Sequence, residues 1–201
     1  MRRNVIAGVL LAAALPLAGC SDGAKKEPGS KKPPSSTASG PSSPSGTPLL
    51  MGRSAETVGS GGKGRLELTP TSVVYAKKAI VDTPDNGLFA VVTVKVRPTT
   101  AVAAGEAAPA GRGGWQWAAP DGQVVSTLDG QAGNVVLDGF RTGGDTQPGT
   151  VRWTARAFDI SEAQRGGTLI YVDGEGTAYR WAVPARDAGP QVAEVAKKLA
   201  E

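Results

Sequence analysis

The chain has 201 residues, with 22 Lys and Arg against 18 Asp and Glu, a single cysteine and no histidine. Without histidine the commonest general base and metal ligand are missing, so Ser-His-Asp and Cys-His catalysis are excluded by composition. One thiol excludes an intrachain disulfide, and no long Lys/Arg patch with interleaved aromatics marks a nucleic-acid surface.

The N-terminus opens on Arg2 and Arg3, and Val5 to Leu17 follow without a charged side chain. That run falls short of the roughly 20 residues a membrane span needs. Its length and flanks are those of a secretory h-region, so residues 1–19 read as a signal peptide. Leu17, Ala18, Gly19 and Cys20 together resemble the lipobox of bacterial lipoproteins. The resemblance implies that the Cys20 thiol receives a diacylglyceryl group, that cleavage falls between Gly19 and Cys20, and that the freed amine is acylated. The chemistry fits: small residues admit the backbone to a protease site, and a thiol supplies the nucleophile for a thioether. The alternatives are an ordinary secretory signal with a chance cysteine, or a buried structural cysteine, which the following segment disfavours because it cannot form a core. One acyl chain binds a membrane marginally, whereas two or three hold it stably. The expected location is the extracytoplasmic face of the cell membrane. Loss of Arg2 and Arg3 with the leader leaves 20 basic against 18 acidic residues, so the isoelectric point near 9.3 overstates the basicity of the mature chain.

Residues 20–48 follow as the lipidated cysteine and a tether of Ser, Pro, Gly, Thr, Ala and Lys. Such a segment cannot bury enough apolar surface to offset the entropy of ordering and is expected to be disordered. At roughly 3.1 Å per residue where proline-rich, it reaches several tens of ångströms. Lys25-Lys26 and Lys31-Lys32 either touch anionic headgroups, at about 1 kcal/mol each, or are solvated spacer charges. Glycosylation of the Ser and Thr residues stays open.

Residues 49–185 are one domain's length and alternate with a period of two. In "GLFAVVTVKVRP", Leu88, Ala90, Val92, Val94 and Val96 share one face, with Phe89, Val91, Thr93 and Lys95 on the other. In "GTVRWTARAFDI", Val151, Trp153, Ala155 and Ala157 oppose Arg152, Thr154 and Arg156. In "TAYRWAVP", Tyr179, Trp181 and Val183 oppose Arg180. Asn-Gly, Asp-Gly and Pro-Gly breaks separate such runs. The predicted strands are 65–69, 72–77, 87–97, 115–118, 123–128, 134–138, 150–158, 168–172 and 177–183. This spacing predicts an all-β, antiparallel β-sandwich, with a small barrel as the other architecture. The segment from Thr99 to Gly114 is long for a hairpin and is expected to be mobile. In residues 186–201, Val192, Val195 and Leu199 recur at helical spacing and Glu194 with Lys198 forms an i,i+4 pair. A short helix packed on the sandwich and a frayed tail both remain open.

The stretches "AETVGSGGKGRLELTPTSV", "LFAVVTVKVRP", "WQWAAPDGQVV" and "TQPGTVRWTARAFDISEAQRGGTLIYVDGEG" carry a wider resemblance. They are similar to the telokin-like, immunoglobulin-fold lipoproteins exported by actinobacteria and other Gram-positive bacteria. Pro148-Gly149 and Phe158-Asp159 match that family's last long strand, and Gly167, Leu169, Tyr171 and Asp173-Gly174 match its final hairpin. Arg97-Pro98 replaces the asparagine usual after the second strand, and Thr150 the glutamate after Pro-Gly. The resemblance implies an immunoglobulin-like sandwich and offers no catalytic residues to carry over.

No catalytic residue, metal or cofactor is expected. A Ser-Lys pair or a carboxylate dyad stays chemically open, yet Asp121, Asp129, Asp138 and Asp173 each precede a glycine, where aspartate favours turn geometry. "DGEG" at Asp173–Gly176 lacks the oxygen spacing of a calcium loop. Trp115 and Trp117 share a strand face and read either as core fillers or as an exposed stacking surface for carbohydrate or peptide, and Trp153 and Trp181 read as core. The functional expectation is a membrane-anchored surface lipoprotein whose sandwich binds a protein or cell-envelope partner and no nucleic acid. An envelope enzyme or metal-handling lipoprotein is the alternative, and a purely structural surface antigen is indistinguishable from the first reading.

Overall fold

In the computed structural model, which describes residues 46–109 and 113–201, the alternation of the valine-rich run becomes strand β4 (Leu88–Pro98). Leu88, Ala90, Val92, Val94 and Val96 enter the main core. Phe89 and Val91, on the opposite face, are also buried, beneath a second apolar cluster. Its neighbour β3 (Arg65–Ala76) joins the two predicted strands 65–69 and 72–77 into one. The join is a bulge: Pro70 pairs with Val94 and Ser72 with Thr93, leaving Thr71 as the extra residue. One extra residue reverses the parity, so Leu66 and Leu68 before it and Val73 and Tyr75 after it all face the main core. A bulge is also where a strand tolerates a proline, which has no N–H to give the ladder.

Two sheets build the domain. The first runs β2 (Ala55–Val58), β3, β4, β9 (Arg152–Ile160), all antiparallel neighbours. The second runs β1 (Leu49–Leu50), β11 (Ala178–Ala182), β10 (Thr168–Val172), β6 (Gly114–Ala118), β7 (Val124–Ser126), with β1 parallel to β11. A minor ladder pairs β5 (Ala104–Gly105) with β8 (Asp145–Thr146). The sheets pack as a sandwich with separate strand orders, not as the closed barrel that the sequence left open. Between them lie Trp115, Trp117, Leu169, Tyr171 and Trp181 against Leu66, Leu68, Phe158 and Ile160. Trp115 contacts Tyr171 and Trp181 at ring separations of 4.7 and 5.8 Å, and Trp117 lies 5.7 Å from Phe158. Trp115 and Trp117 therefore fill the core and offer no stacking surface.

Expectations for β9 and for two of the loops need correction. The face of β9 that bears Arg152, Thr154 and Arg156 continues into Phe158 and Ile160, and so looks into the sandwich. Trp153 lies on the other face, half-buried against the second cluster instead of the main core. Residues 134–138 form no strand. A 3-10 turn at Ala132–Asn134 leads into an irregular stretch whose Val135 and Leu137 are buried while Val136 is exposed. The alternation there comes from lying over a sheet, without a ladder. The described part of the 99–114 loop is not loose, because β5 ties it to β8 and the Ala107 amide donates to the Tyr171 hydroxyl at 2.8 Å.

The tail forms helix α1 (Val192–Ala200), whose Val195 and Leu199 pack with Val74, Phe89 and Val91 on the outer face of the four-stranded sheet. Packing supplies what an isolated nine-residue helix lacks in water. The chain leading to it occupies the edge of β3 that β2 leaves free: Val73 and Ala188 exchange backbone bonds of 2.8 and 3.0 Å, and the Tyr75 amide donates to Asp187 Oδ1 at 2.9 Å. Ser72 Oγ donates to Gln191 Oε1 at 2.7 Å and accepts from the Gln191 amide at 2.9 Å. Gly189 makes this approach feasible, since at φ +104° any Cβ would meet the Thr71 carbonyl at 2.1 Å. Among the described residues the ion pair on the helix is Lys197–Glu201 at 3.5 Å, not the expected Glu194–Lys198. Leu199→Ala should destabilise the full-length chain by about 2–4 kcal/mol, read as a lower urea midpoint with an unchanged slope.

Candidate functional site

The described part contains one buried ion pair. Glu106, just past β5, meets Arg156 of β9, with side-chain exposures of 2% and 11%. Trp115 of β6 donates Nε1–H to Glu106 Oε1 at 3.0 Å, and Arg156 donates from its other terminal nitrogen to the Ala155 carbonyl at 3.3 Å. Charges removed from water cost several kcal/mol each unless paired and hydrogen-bonded, and here each has both. Tyr171 of β10 completes the group by stacking on Trp115 and accepting from the Ala107 amide. Its phenol pKa is raised, first by burial and then by the negative charges of Glu106 and Asp173, against the Ala107 amide and Arg156.

Beside this group opens a cleft of about 260 Å³, lined by both ion-pair partners, Trp115 and a mostly apolar wall that includes Leu128, Val135, Val136 and Ala157. It lies along β9, the last strand of its sheet. Among the described residues, no backbone–backbone bond reaches β9 from outside β4. The cleft thus combines apolar walls, an unpaired strand edge and a guanidinium held by a neighbouring carboxylate.

A second hollow, of about 340 Å³, is polar and holds Asp121, Asp129 and Asp159. Its carboxylates are committed to the backbone. Asp159 is buried and accepts from the amides of Asp85, Asn86 and Gln131 at 2.8–2.9 Å. Asp121 accepts from the Gln123 amide at 2.9 Å and Asp129 from the Ser126 amide at 2.7 Å. Gln164 reaches across it to Gln123 Oε1 at 2.6 Å. Asp173, in the "DGEG" turn, accepts from the amides of Val58, Glu175 and Thr177 at 2.9–3.0 Å, so its oxygens organise the hairpin. Asp138 lies exposed before Gly139, which has φ +81°. Among the described residues, no three His, Cys, Asp or Glu side chains gather as metal ligands.

The lipobox residues Leu17, Ala18, Gly19 and Cys20 lie outside the described residues. Sequence reasoning missed Glu106–Arg156, since the partners are 50 positions apart and Arg156 sits in an alternating run that resembles a solvated face. The expectation that the domain holds no Ser-x-x-Lys stretch is wrong, since Ser60-Gly61-Gly62-Lys63 has that spacing. That stretch is an exposed 3-10 turn, and no hydrogen bond joins the two side chains. No helix among the described residues is long and apolar enough to cross a membrane. Comparisons with protein-family models, curated proteins and solved structures return no match.

Glu106→Ala strands a buried guanidinium and should cost about 3–5 kcal/mol, whereas the double replacement Glu106→Leu with Arg156→Met should recover most of that loss, measured by urea unfolding. The phenol prediction follows from its sign. A folded-state pKa raised above the ordinary value near 10 contributes stability that is complete below that pH and is lost as pH rises through it. Unfolding free energy should fall above about pH 10, and Tyr171→Phe should flatten that fall.

Proposed function

We propose that this chain is an extracytoplasmic lipoprotein, anchored through Cys20, whose immunoglobulin-like sandwich binds a protein of the cell envelope and performs no catalysis. The lipobox-like Leu17-Ala18-Gly19-Cys20 and the Ser/Pro/Gly-rich stretch after it support the anchor and the spacer. The immunoglobulin-like assignment draws on two packed, mostly antiparallel sheets and on where the family-like motifs fall. Pro148-Gly149 turns into β9, Phe158-Asp159 closes it, and Asp173-Gly174 forms the β10–β11 hairpin. The observation that carries the binding reading is the occupation of the carboxylates that line the two hollows and the β10–β11 turn. Asp121, Asp129, Asp159 and Asp173 accept backbone amides, and Glu106 accepts from Arg156 and Trp115. General acid-base chemistry needs a carboxylate that can reach a substrate proton.

The test is Cys20→Ser in cells, with fractionation and crosslinking of intact cells beside the unaltered chain. The substituted chain should leave the membrane fraction or accumulate with its leader uncleaved, and it should lose the crosslinked envelope protein that the unaltered chain retains. A Cys20→Ser chain still cleaved after Gly19 and still in the membrane fraction would remove the anchor. Substrate turnover or stoichiometric metal in the purified full-length chain would replace the binding role by an enzymatic or metal-handling one.

A further inference from the structure

We infer that the cleft along β9 is the partner site, and that it takes an uncharged, extended peptide segment as an added strand with an apolar side chain seated among Leu128, Val135 and Val136. The inference rests on the binding role above and names the chemistry of the partner.

Three independent features converge on it. The first is the strand edge. β9 pairs only with β4 in the described structure, so the backbone groups on its other side have no ladder. An open edge recruits another strand unless something blunts it. Natural edges are blunted by lysines, prolines or inward-pointing charges. The cleft stretch Ala155-Arg156-Ala157 has small residues on either side of an arginine that its own partner neutralises. Strand addition supplies affinity through main-chain bonds and selectivity through alternate side chains.

The second is charge. Among the described residues that line the cleft, Glu106 and Arg156 are the only charged ones, and they cancel each other. A carboxylate or ammonium seated among these apolar walls would find no net counter-charge from the described lining and would give up part of its hydration. A neutral carbonyl meets no such penalty. The guanidinium has a fork of five N–H groups. One terminal nitrogen serves Glu106 and the other the Ala155 carbonyl, so the fork still has N–H groups to offer a peptide carbonyl. The complement of this surface is an uncharged chain rich in acceptors.

The third is the mouth. Leu128 and Val136 are 66% and 64% exposed although both flank a cleft whose deeper wall is buried Val135, Ala132 and Ala157. Exposed apolar side chains at the rim of an apolar hollow mark contact with a partner more often than scattered ones do. The volume of about 260 Å³ holds one aliphatic side chain with its flanking peptide units and excludes a folded domain.

The experiment is amide hydrogen exchange, read by mass spectrometry, on the full-length chain in detergent, which keeps it in solution with or without an anchor. Three probes are compared at about 1 mM, a concentration that registers weak peptide contacts. They are acetyl-threonyl-valyl-threonine amide, the same peptide methylated on every backbone nitrogen, and the analogue with aspartate in place of valine. The neutral peptide should slow exchange across residues 153–157 by at least about tenfold, and the methylated and acidic peptides should leave it unchanged. Val136→Asp, at an exposed rim position, should abolish the effect without altering exchange in β3 and β4. No slowing with the neutral peptide overturns the inference, as does equal slowing by the methylated one, which would mean a simple apolar cavity. Equal slowing by the acidic peptide overturns the charge argument, and slowing that persists in Val136→Asp removes the cleft. None of these readings depends on Cys20, so the site can fail while the anchor stands, and the reverse.

Discussion

The Glu106–Arg156 ion pair couples parts of the fold that no single ladder connects. Arg156 belongs to the four-stranded sheet, Trp115 and Tyr171 to the five-stranded sheet, and Glu106 to the loop between β5 and β6. A sandwich held only by apolar contact tolerates sliding of one sheet across the other, because dispersion and burial are non-directional. Hydrogen bonds from Arg156 and Trp115 to a single carboxylate are directional. They fix where the loop lands and where β9 sits opposite β6. The stabilisation from such a pair is modest once desolvation is counted; its contribution is to geometry.

That geometry leaves the second sheet face to be covered. In the first half of β4 both faces are apolar, so the four-stranded sheet needs a layer on each side. The five-stranded sheet supplies one. The other is assembled from α1 and the irregular stretch that contributes Ala132, Val135, Leu137 and Phe140. The same stretch raises one wall of the cleft. The covering of a hydrophobic sheet and the shaping of a recessed strand edge are therefore one structural event, which explains why an apolar hollow lies next to a buried ion pair.

The legible features were those with a long, uninterrupted period. β4 shows in the sequence because every second residue from Leu88 to Val96 is apolar, and the Asp-Gly turns show because aspartate and glycine meet a local backbone demand. β3 was split in two because its bulge reverses the parity at Thr71, and parity is the signal a strand is read from. β1, β2, β5 and β8 span only two to four residues, too few for a period to emerge. Val135 and Leu137 mimic a strand because burial against a flat sheet also selects alternate residues. The cleft was illegible for a further reason. Arg156 is polar in a strand pattern that assigns polar residues to water, and only the arrival of Glu106 from fifty positions away makes its inward position tolerable.

The two-residue strand β1 has a mechanical meaning. Leu49 and Leu50 pair in parallel with Trp181 and Ala182, and Leu50 is 68% exposed. Just beyond, the Gly52 amide donates to the Pro70 carbonyl of one sheet at 2.7 Å, while Trp181 of the other donates Nε1–H to the Arg53 carbonyl at 2.8 Å. Tension arriving through residue 48 first peels a short ladder that buries little. It is then divided between both sheets at Gly52 and Arg53. A pull applied at residue 48 is therefore expected to open this short ladder first, before force reaches the aromatic core.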